Sequence, residues 1–539
     1  MNVLLINPDY PQTYWSAEAV LRMTGKKVLE PPLGLLTVAA LLPQDWPFKL
    51  VELTERKITP EEWRWCHMAM VTGMGVQYPG MLKIIKEGRR NGKIVVVGGP
   101  AVFHVPQDAL DAGAHIVVKG EAEQALPQLL RAIERKESGV IIEARGRADL
   151  TNAPVPRYDL IDPGTYTVME LQFSRGCPYR CEFCDITLML GRNVRTKRPL
   201  QILLELQNLY DLGWRRLVLF VDDNFIGNRS KAKALLQEII PWMEARNYPF
   251  EFDTQASVDL AEDSELLQLM VRAGFSRVFL GIETPDEESL KLSKKQQNAG
   301  IDLDRVCRTI NEAGLQIIAG CIVGFDNERA GADQRLIDFA DRNQIPQMFI
   351  SLLQVGPGTD LWRRLEAEGR LRWTGFDENL GSQTGLINFV PTRPIEEIVG
   401  EFIRLYDTLY EPDRFLERTY GQLSRMKSPP VKKRFKRPHW WELRAALITV
   451  FRQGVRYPSR WKFWKYFFLA LFKFRGKRFE MFLGTCVLGE HYFEFRKMVR
   501  EKLQEALAQK MALPVSHIAE GPDLPVGERA DEVAGAIQG

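Results

Sequence analysis

Phe173-Ser174-Arg175-Gly176-Cys177-Pro178-Tyr179-Arg180-Cys181-Glu182-Phe183-Cys184 sets three cysteines at C-x3-C-x2-C spacing, in a chain of 539 residues with only seven cysteines. Three thiolates fill three corners of a cubane iron–sulfur cluster, which four cysteines usually close. No fourth cysteine is near in sequence, so one iron is left open to a small molecule. A structural zinc site would want four N/S ligands, usually paired as C-x2-C. Disulfides fit poorly with so few cysteines and with an N-terminus, Met1-Asn2-Val3-Leu4-Leu5-Ile6-Asn7, that reads as a strand without a secretory signal. Cys66, Cys307, Cys321 and Cys486 are scattered and read as buried packing.

Outward from this loop, residues 166–357 alternate strand and helix. Strands are expected over 168–173, 217–221, 250–254, 277–280, 316–323 and 348–354, with helices such as 200–212 and 231–247 between them. The strands end in polar or glycine-bearing residues, as in Asp222-Asp223-Asn224, Gln255-Ala256-Ser257 and Gly281-Ile282-Glu283. Six strand–helix units fall short of the eight of a closed barrel. Asp222 and Asp223, just before Gly227-Asn228-Arg229-Ser230, could equally prepare the next helix.

Residues 1–145 form an earlier alternating series. Strands are expected over 3–7, 49–53, 68–72, 93–97 and 115–118, and helices over 32–42 and 81–90. Such alternation gives a parallel sheet whose ligands bind beyond the strands' carboxyl ends. Asn7-Pro8, Thr72-Gly73-Met74-Gly75-Val76-Gln77, Gly98-Gly99-Pro100 and Gly120-Glu121 gather at those ends. Glycines there let a large flat ligand approach the backbone. The absence of G-x-G-x-x-G after the first strand argues against a nicotinamide or flavin site.

The cysteine spacing, with aromatic Phe183 before the last cysteine, resembles the radical S-adenosylmethionine (SAM) superfamily. The resemblance implies a partial (β/α)6 barrel and a 4Fe-4S cluster on Cys177, Cys181 and Cys184, whose open iron chelates SAM. It also implies SAM contacts at Phe183, Asp222, Asp223, Asn224, Gln255, Ser257, Glu283 and Ile322. Residues 1–145 resemble the Rossmann-like cobalamin-binding domain that precedes many such barrels. That implies cobalamin contacts at Asn7, Pro8, Gly34, Thr72, Gly73, Met74, Gly75, Val76, Gln77, Gly98, Gly99, Pro100, Gly120 and Glu121. The D-x-H-x-x-G motif that gives a histidine to cobalt elsewhere is absent, and His67, His104 and His115 lie in no such setting. Cobalt's lower face is then empty, water-bound or shielded from within 74–78.

Leu5-Ile6-Asn7-Pro8 with Tyr14-Trp15-Ser16, Pro31-Pro32-Leu33-Gly34-Leu35, Gly73-Met74-Gly75-Val76-Gln77, Cys181-Glu182-Phe183-Cys184-Asp185-Ile186, Val221-Asp222-Asp223-Asn224 and Ile322-Val323-Gly324-Phe325-Asp326 together resemble the branch containing hopanoid C-2 methyltransferases, over about residues 1–430. The branch implies a C-methyltransferase acting on an unactivated carbon of a hydrophobic, polycyclic lipid, with a flavodoxin- or ferredoxin-type electron donor. Related members act on tetrapyrroles. A radical cyclisation or oxidation without methyl transfer, and a cobalamin- or redox-responsive binding protein, are the competing functions.

The net charge of +3 hides an asymmetry: seventeen Lys/Arg face two acids between Arg425 and Glu480. An amphipathic helix is expected over 395–410. Beyond it come Lys432-Lys433-Arg434-Phe435-Lys436-Arg437 and aromatics among cations, including Trp440, Trp441, Trp461, Trp464 and Phe467. Such helices suit an anionic membrane surface; a packed appendage with a solvated basic face is the alternative. The same charge could meet nucleic acid, but no reading module accompanies it and none is expected as a partner. No run of ~18 uncharged apolar residues occurs, so no transmembrane helix is expected. The expected location is the cytoplasm, with peripheral contact at the inner membrane face. The expected organisation is α/β: a cobalamin-binding domain at 1–145, a linker at 146–165, the barrel at 166–390, a helical basic-aromatic region at 391–513 and a disordered tail at 514–539.

Overall fold

The computed structural model describes residues 1–372, 383–427, 439–474 and 476–512. The basic run at 432–437 and the segment from Pro514 lie outside the described residues. Strands β1 (Val3–Asn7), β2 (Phe48–Glu52), β3 (Met68–Val71), β4 (Ile94–Val97), β5 (Ile116–Lys119) and β6 (Val140–Glu143) form one parallel sheet in the order β2-β1-β3-β4-β5-β6. Alternate residues serve opposite layers. Leu4, Ile6, Ala69 and Val71 pack against Trp63, Met81 and Ile85, whereas Val3, Leu5, Met68 and Met70 pack against Leu35, Ala39 and Leu129. Both faces are covered, which is why these strands are apolar throughout. The order reverses at β1, so a crevice lies beyond the carboxyl ends of β1 and β3. The five expected strands are present within a residue of their expected bounds. The unexpected β6 is a four-residue edge strand, too brief to show a period.

The second sheet comprises β7 (Met169–Leu171), β10 (Leu217–Phe220), β11 (Glu251–Ala256), β12 (Phe275–Glu283), β13 (Gln316–Val323) and β14 (Gln347–Leu352). Its order is β14-β13-β12-β11-β10-β7, all parallel. Between β7 and β10, β8 (Ser174–Arg175) pairs antiparallel with β9 (Arg195–Thr196). All six expected barrel strands form. Period-two alternation turns Glu170 and Gln172, Leu219 and Val221, Asp253 and Gln255, Arg277 and Phe279, and Gln316 and Ile318 toward one interior cavity.

A six-stranded barrel leaves a gap between β7 and β14, and a segment that follows β1 fills it. The Lys27 and Val28 N–H groups donate to the Thr165 carbonyl, and the Thr167 and Val168 N–H groups donate to the Leu29 carbonyl, at 2.9–3.2 Å. Upstream, Trp15 stacks on Phe349 of β14 at 5.2 Å between centroids, and buried Tyr14 lies edge-on to Phe349 at 5.5 Å. Tyr14 also stacks on Tyr492 at 4.6 Å, while His491 Nε2 donates to the Thr13 and Tyr14 carbonyls at 3.1 Å.

Tyr492 belongs to the long helix Lys477–Ala512, which carries the C-terminal region. Helices Ile395–Leu409, Pro412–Arg425, Trp440–Phe451 and Arg460–Lys473 pack on it, as does the N-terminal helix Glu18–Thr24. The expected amphipathic helix is the first of these. Among the described residues, no helix is long and apolar enough to cross a membrane.

Candidate active site

The cysteine loop leaves β7 and is fixed by backbone contacts. Gly176 has φ +97°, where only glycine is comfortable, and a Cβ there would lie 2.8 Å from the Gly191 carbonyl oxygen. The Cys177 N–H donates to that same carbonyl at 3.2 Å. Asp222, fully buried at the end of β10, accepts from the Phe173 N–H at 3.0 Å, from the Ser174 hydroxyl at 2.5 Å and from the Ser174 N–H. Its carboxylate thus holds the start of the loop; Asp222, expected to meet a bound amine, is fully buried with both oxygens engaged by the protein. The neighbouring Asp223 has the opposite situation. Its carboxyl lines the cavity, burial and the adjacent Asp222 charge push it up to about 7, and buried Oδ2 has no hydrogen-bond partner.

Two further supports reach the loop from distant sequence. The Glu182 carboxylate accepts from Arg364 at 2.9 Å, and Arg364 also pairs with Asp326 at 2.8 Å. Phe183 meets Phe325 edge-on at 6.0 Å. On the other side, the Gln297 amide donates to Cys181 Sγ at 3.4 Å, and Lys295 pairs with Glu283 at 2.5 Å. The three thiols are neighbours: burial first, then the other cysteines among further causes, raises the Cys177 and Cys184 thiols above their ordinary range. Among the described residues, no three His, Cys, Asp or Glu side chains converge as ligands of a single ion. Arg175, Asp185 and Ile186, on either side of the three cysteines in sequence, line the cavity, whereas the cysteines themselves do not.

A continuous cavity of about 2030 Å³ starts at the strand ends of the N-terminal sheet, runs through the barrel and reaches the C-terminal helices. Ordinary small-molecule pockets hold roughly 300–1,000 Å³, so a large cofactor and a substrate fit together. Of the residues expected to meet cobalamin, Asn7, Gly34, Thr72, Gly73, Met74, Gly75, Gln77, Gly98, Gly99, Pro100, Gly120 and Glu121 line it; Pro8 and Val76 do not. Gly99 has φ +94°, and a Cβ there would come within 2.2 Å of Thr72 Oγ1, so the cradle depends on glycine. Two residues of this set have structural work. Glu121 sits between Arg175 and Arg195 at 3.0 and 2.8 Å and accepts from the Ala148 N–H, joining the sheet to the cysteine loop. Buried Gln77 donates to the Pro8 carbonyl at 2.8 Å.

Of the residues expected to meet SAM, Asp223 and Gln255 line the cavity; Phe183, Asp222, Asn224, Ser257, Glu283 and Ile322 do not. Asn224 and Ser257 bond each other across the ends of β10 and β11 at 3.1 Å. Glu283 has φ +62° and is tied to Lys295, and half-buried Ile322 packs on the barrel core. Lys295, Gln297 and Arg364 were not legible in the sequence; for the first two, the polar run Ser293-Lys294-Lys295-Gln296-Gln297-Asn298 was the available signal. Sequence reasoning placed the three histidines alike. His67 and His115 accept backbone N–H bonds, whereas His104 lines the cavity with Nε2 3.2 Å from Asp185 Oδ2, one residue beyond Cys184.

One buried carboxyl gives a pH signature. Glu52, at the end of β2, accepts from Asn7 at 2.7 Å and from the Tyr166 hydroxyl at 2.8 Å, and burial pushes it up to about 7 from about 4.5. A raised carboxyl favours the protonated folded form, so stability is lost as pH rises from about 4.5 to about 7. Glu52→Gln should remove that loss. Relative to wild type, the variant should gain about 3 kcal/mol at pH 8 and nothing at pH 4. Denaturant melts of both proteins across this range read the difference, and parallel curves would refute it.

Residues 171–340 match the Radical SAM superfamily, residues 27–130 the B12 binding domain, and residues 359–505 a domain of unknown function (DUF4070). An uncharacterized methyltransferase of Synechocystis sp. is 46% identical over 94% of this chain and 94% of its own length. The hopanoid C-2 methylase of Rhodopseudomonas palustris is 32% identical over 91% of this chain and 92% of its own. Among solved structures, the radical S-adenosylmethionine methyltransferase TsrM from Kitasatospora setae superposes with a TM-score of 0.60 at 18% identity, over 80% of this chain and 92% of that one, a likeness of fold.

Proposed function

Because this chain belongs to the cobalamin-dependent radical SAM methyltransferase family, we propose that it methylates an unactivated carbon of a hydrophobic, polycyclic lipid of hopanoid type, met at a membrane surface. The family's groups are a 4Fe-4S cluster, SAM and cobalamin. The residues present fit them. Cys177, Cys181 and Cys184 would hold the cluster, the orphaned Asp223 Oδ2 would accept from the SAM amine, and the Gly98, Gly99 and Gly120 cradle would take cobalamin. When bound, these groups supply one-electron cleavage of SAM and a carried methyl group.

The chain's own residues do the positioning. Asp222, Glu182 and Gln297 fix the cysteine loop. Glu121 with Arg175 and Arg195, and His104 with Asp185, hold that loop against the sheet that would carry cobalamin. Tyr14 and Trp15 complete the barrel wall against Phe349 of β14. The observation that carries the reading is the single cavity joining the strand-end crevice to the barrel, because methyl donor and radical source must reach the same carbon. The lipid reading is supported by the likeness to the hopanoid C-2 methylase and by the apolar side chains of Phe279, Ile318, Leu483 and Leu488, which line the cavity beside the polar Asp253, Arg277, Gln316 and Gln347.

Anaerobically reconstituted protein with SAM, a low-potential reductant and a hopanoid should yield a product one methylene heavier by mass spectrometry, together with 5′-deoxyadenosine. 5′-Deoxyadenosine without methylated lipid would reject the lipid reading, and turnover of a tetrapyrrole in its place would reassign the substrate.

A further inference from the structure

Met74, at the sheet that would carry cobalamin, and Trp15, beside β14, line the cavity and are 52% and 38% exposed; with cobalamin in place a bulky substrate would need another way in. The remaining end lies at the strands' amino ends, under the C-terminal helices. There the cavity is lined by Gln316 and Gln347 of the barrel, by Phe479 and Leu483 of the long helix, and by Leu443 and Leu471. The last two are also exposed to the outside, at 49% and 46%. A side chain that faces both the cavity and solvent marks an opening. Leu443 lies near the start of helix Trp440–Phe451 and Leu471 near the end of helix Arg460–Lys473. These helices join through the π-helical turn Arg452–Arg456 and both rest on the long helix, so the opening lies between the free ends of two arms.

The surface around the opening is unusual for protein meeting water. Ten of the seventeen exposed large hydrophobic side chains among the described residues fall between Trp440 and Phe472. Scattered single exposures need no explanation, but exposed apolar side chains concentrated on two successive helices mark an interaction site. Trp440, Leu443, Leu447 and Phe451 fall at helical spacing on one face, and Trp461 and Phe472 are exposed at 75% and 81%. Arg456, Arg460, Lys465 and Lys473 are exposed among them, and Glu442 is the only acid from 439 to 479. Apolar anchors ringed by cations match an anionic bilayer. A protein partner would offer no reason for the cavity to open in the middle of the patch.

We propose that the gap between Leu443 and Leu471 is a lipid port, and that the face around it seats on an anionic membrane, so that the substrate passes from the leaflet into the base of the barrel without crossing water. This rests on the lipid reading above. It assigns the C-terminal helices a substrate-loading role and predicts that the lipid enters at the end of the barrel opposite the cysteine loop.

The test uses full-length protein, phosphatidylcholine vesicles with one-third phosphatidylglycerol, and a diazirine-bearing sterol as the polycyclic probe, with cross-links mapped by mass spectrometry. In wild type, the sterol in vesicles should label both the outer face, at Leu447 and Phe472, and the interior, at Leu483 and Val487. Leu443→Trp with Leu471→Trp fills the gap and should cut interior labelling at least about tenfold while outer labelling persists. Charge reversal at Arg460 and Lys465 should lower vesicle binding about tenfold or more, and raising salt should weaken wild-type binding. Far-ultraviolet circular dichroism and unchanged cobalamin uptake would show that the variants fold. Undiminished interior labelling in the double Trp variant, or labelling concentrated on the N-terminal sheet, overturns the port. If the sterol in detergent micelles also fails to reach the interior, the lipid reading falls and takes the port with it.

Discussion

Replacement of any one of Cys177, Cys181 and Cys184 with Ala is expected to abolish cluster absorption and to lower SAM cleavage at least about 1,000-fold, a barrier change of at least about 4 kcal/mol. The loop offers three thiolates and Gln297 offers only an amide to Cys181, so no neighbouring sulfur can replace a missing corner. Cys307→Ala and Cys321→Ala are the controls. Both residues are buried in the barrel core away from the loop's cavity, and both variants should keep cluster iron and 5′-deoxyadenosine formation. Iron analysis, visible absorption and product quantification decide the matter, and a triple variant that still cleaves SAM would refute the assignment.

Tyr14→Ala should be the most damaging single change outside the cysteine loop. Its ring is 1% exposed and touches Phe349 of the barrel, Tyr410 of the following helices, and Tyr492 and Phe495 of the long helix. Truncating a buried aromatic costs about 3–5 kcal/mol, and here the lost contacts join three parts of the chain. Denaturant unfolding should show the destabilisation, with proteolysis appearing first in the C-terminal helices as they lose their anchor. Tyr14→Phe keeps the packing and removes only the hydroxyl, 3.4 Å from that of Tyr410, so it should stay within about 1 kcal/mol of wild type. Equal damage from both changes would show that hydrogen bonding and not packing holds the junction.

What the sequence disclosed follows the range of the forces involved. The strands of both sheets were legible because their apolar runs and turn residues are local, and the cysteine loop because its spacing is. The strand-end glycines were legible for the same reason: Gly99 is forced by a backbone angle and by Thr72 nearby. Edge strand β6 was not, since four residues carry no period. Nor was the division of labour between Asp222 and Asp223. Adjacent in sequence, they point to opposite sides of β10's end, and which one holds Ser174 and which faces the cavity depends on a loop forty-eight residues away. Arg364 and Lys295 were invisible for the same reason, because their partners Glu182 and Glu283 are set by tertiary packing. The helical nature of the C-terminal region was legible, but its exposure pattern, with Phe463 buried and Phe472 outside, was not.

The segment that fills the gap between β7 and β14 bears on how this architecture can be recombined. A cut at residue 145 would treat the N-terminal sheet as a removable cassette, yet residues 14–29 are a stave of the barrel's wall, delivered by that cassette. An exchange of the first 145 residues between relatives therefore transplants part of the barrel with the cofactor domain. Chimeras should survive only where the donor's Tyr14, Trp15 and Leu29 equivalents match the host's Phe349, Tyr492 and Val168. In this lineage, cofactor module and catalytic barrel are bound to diverge together, as one heritable unit with two sheets.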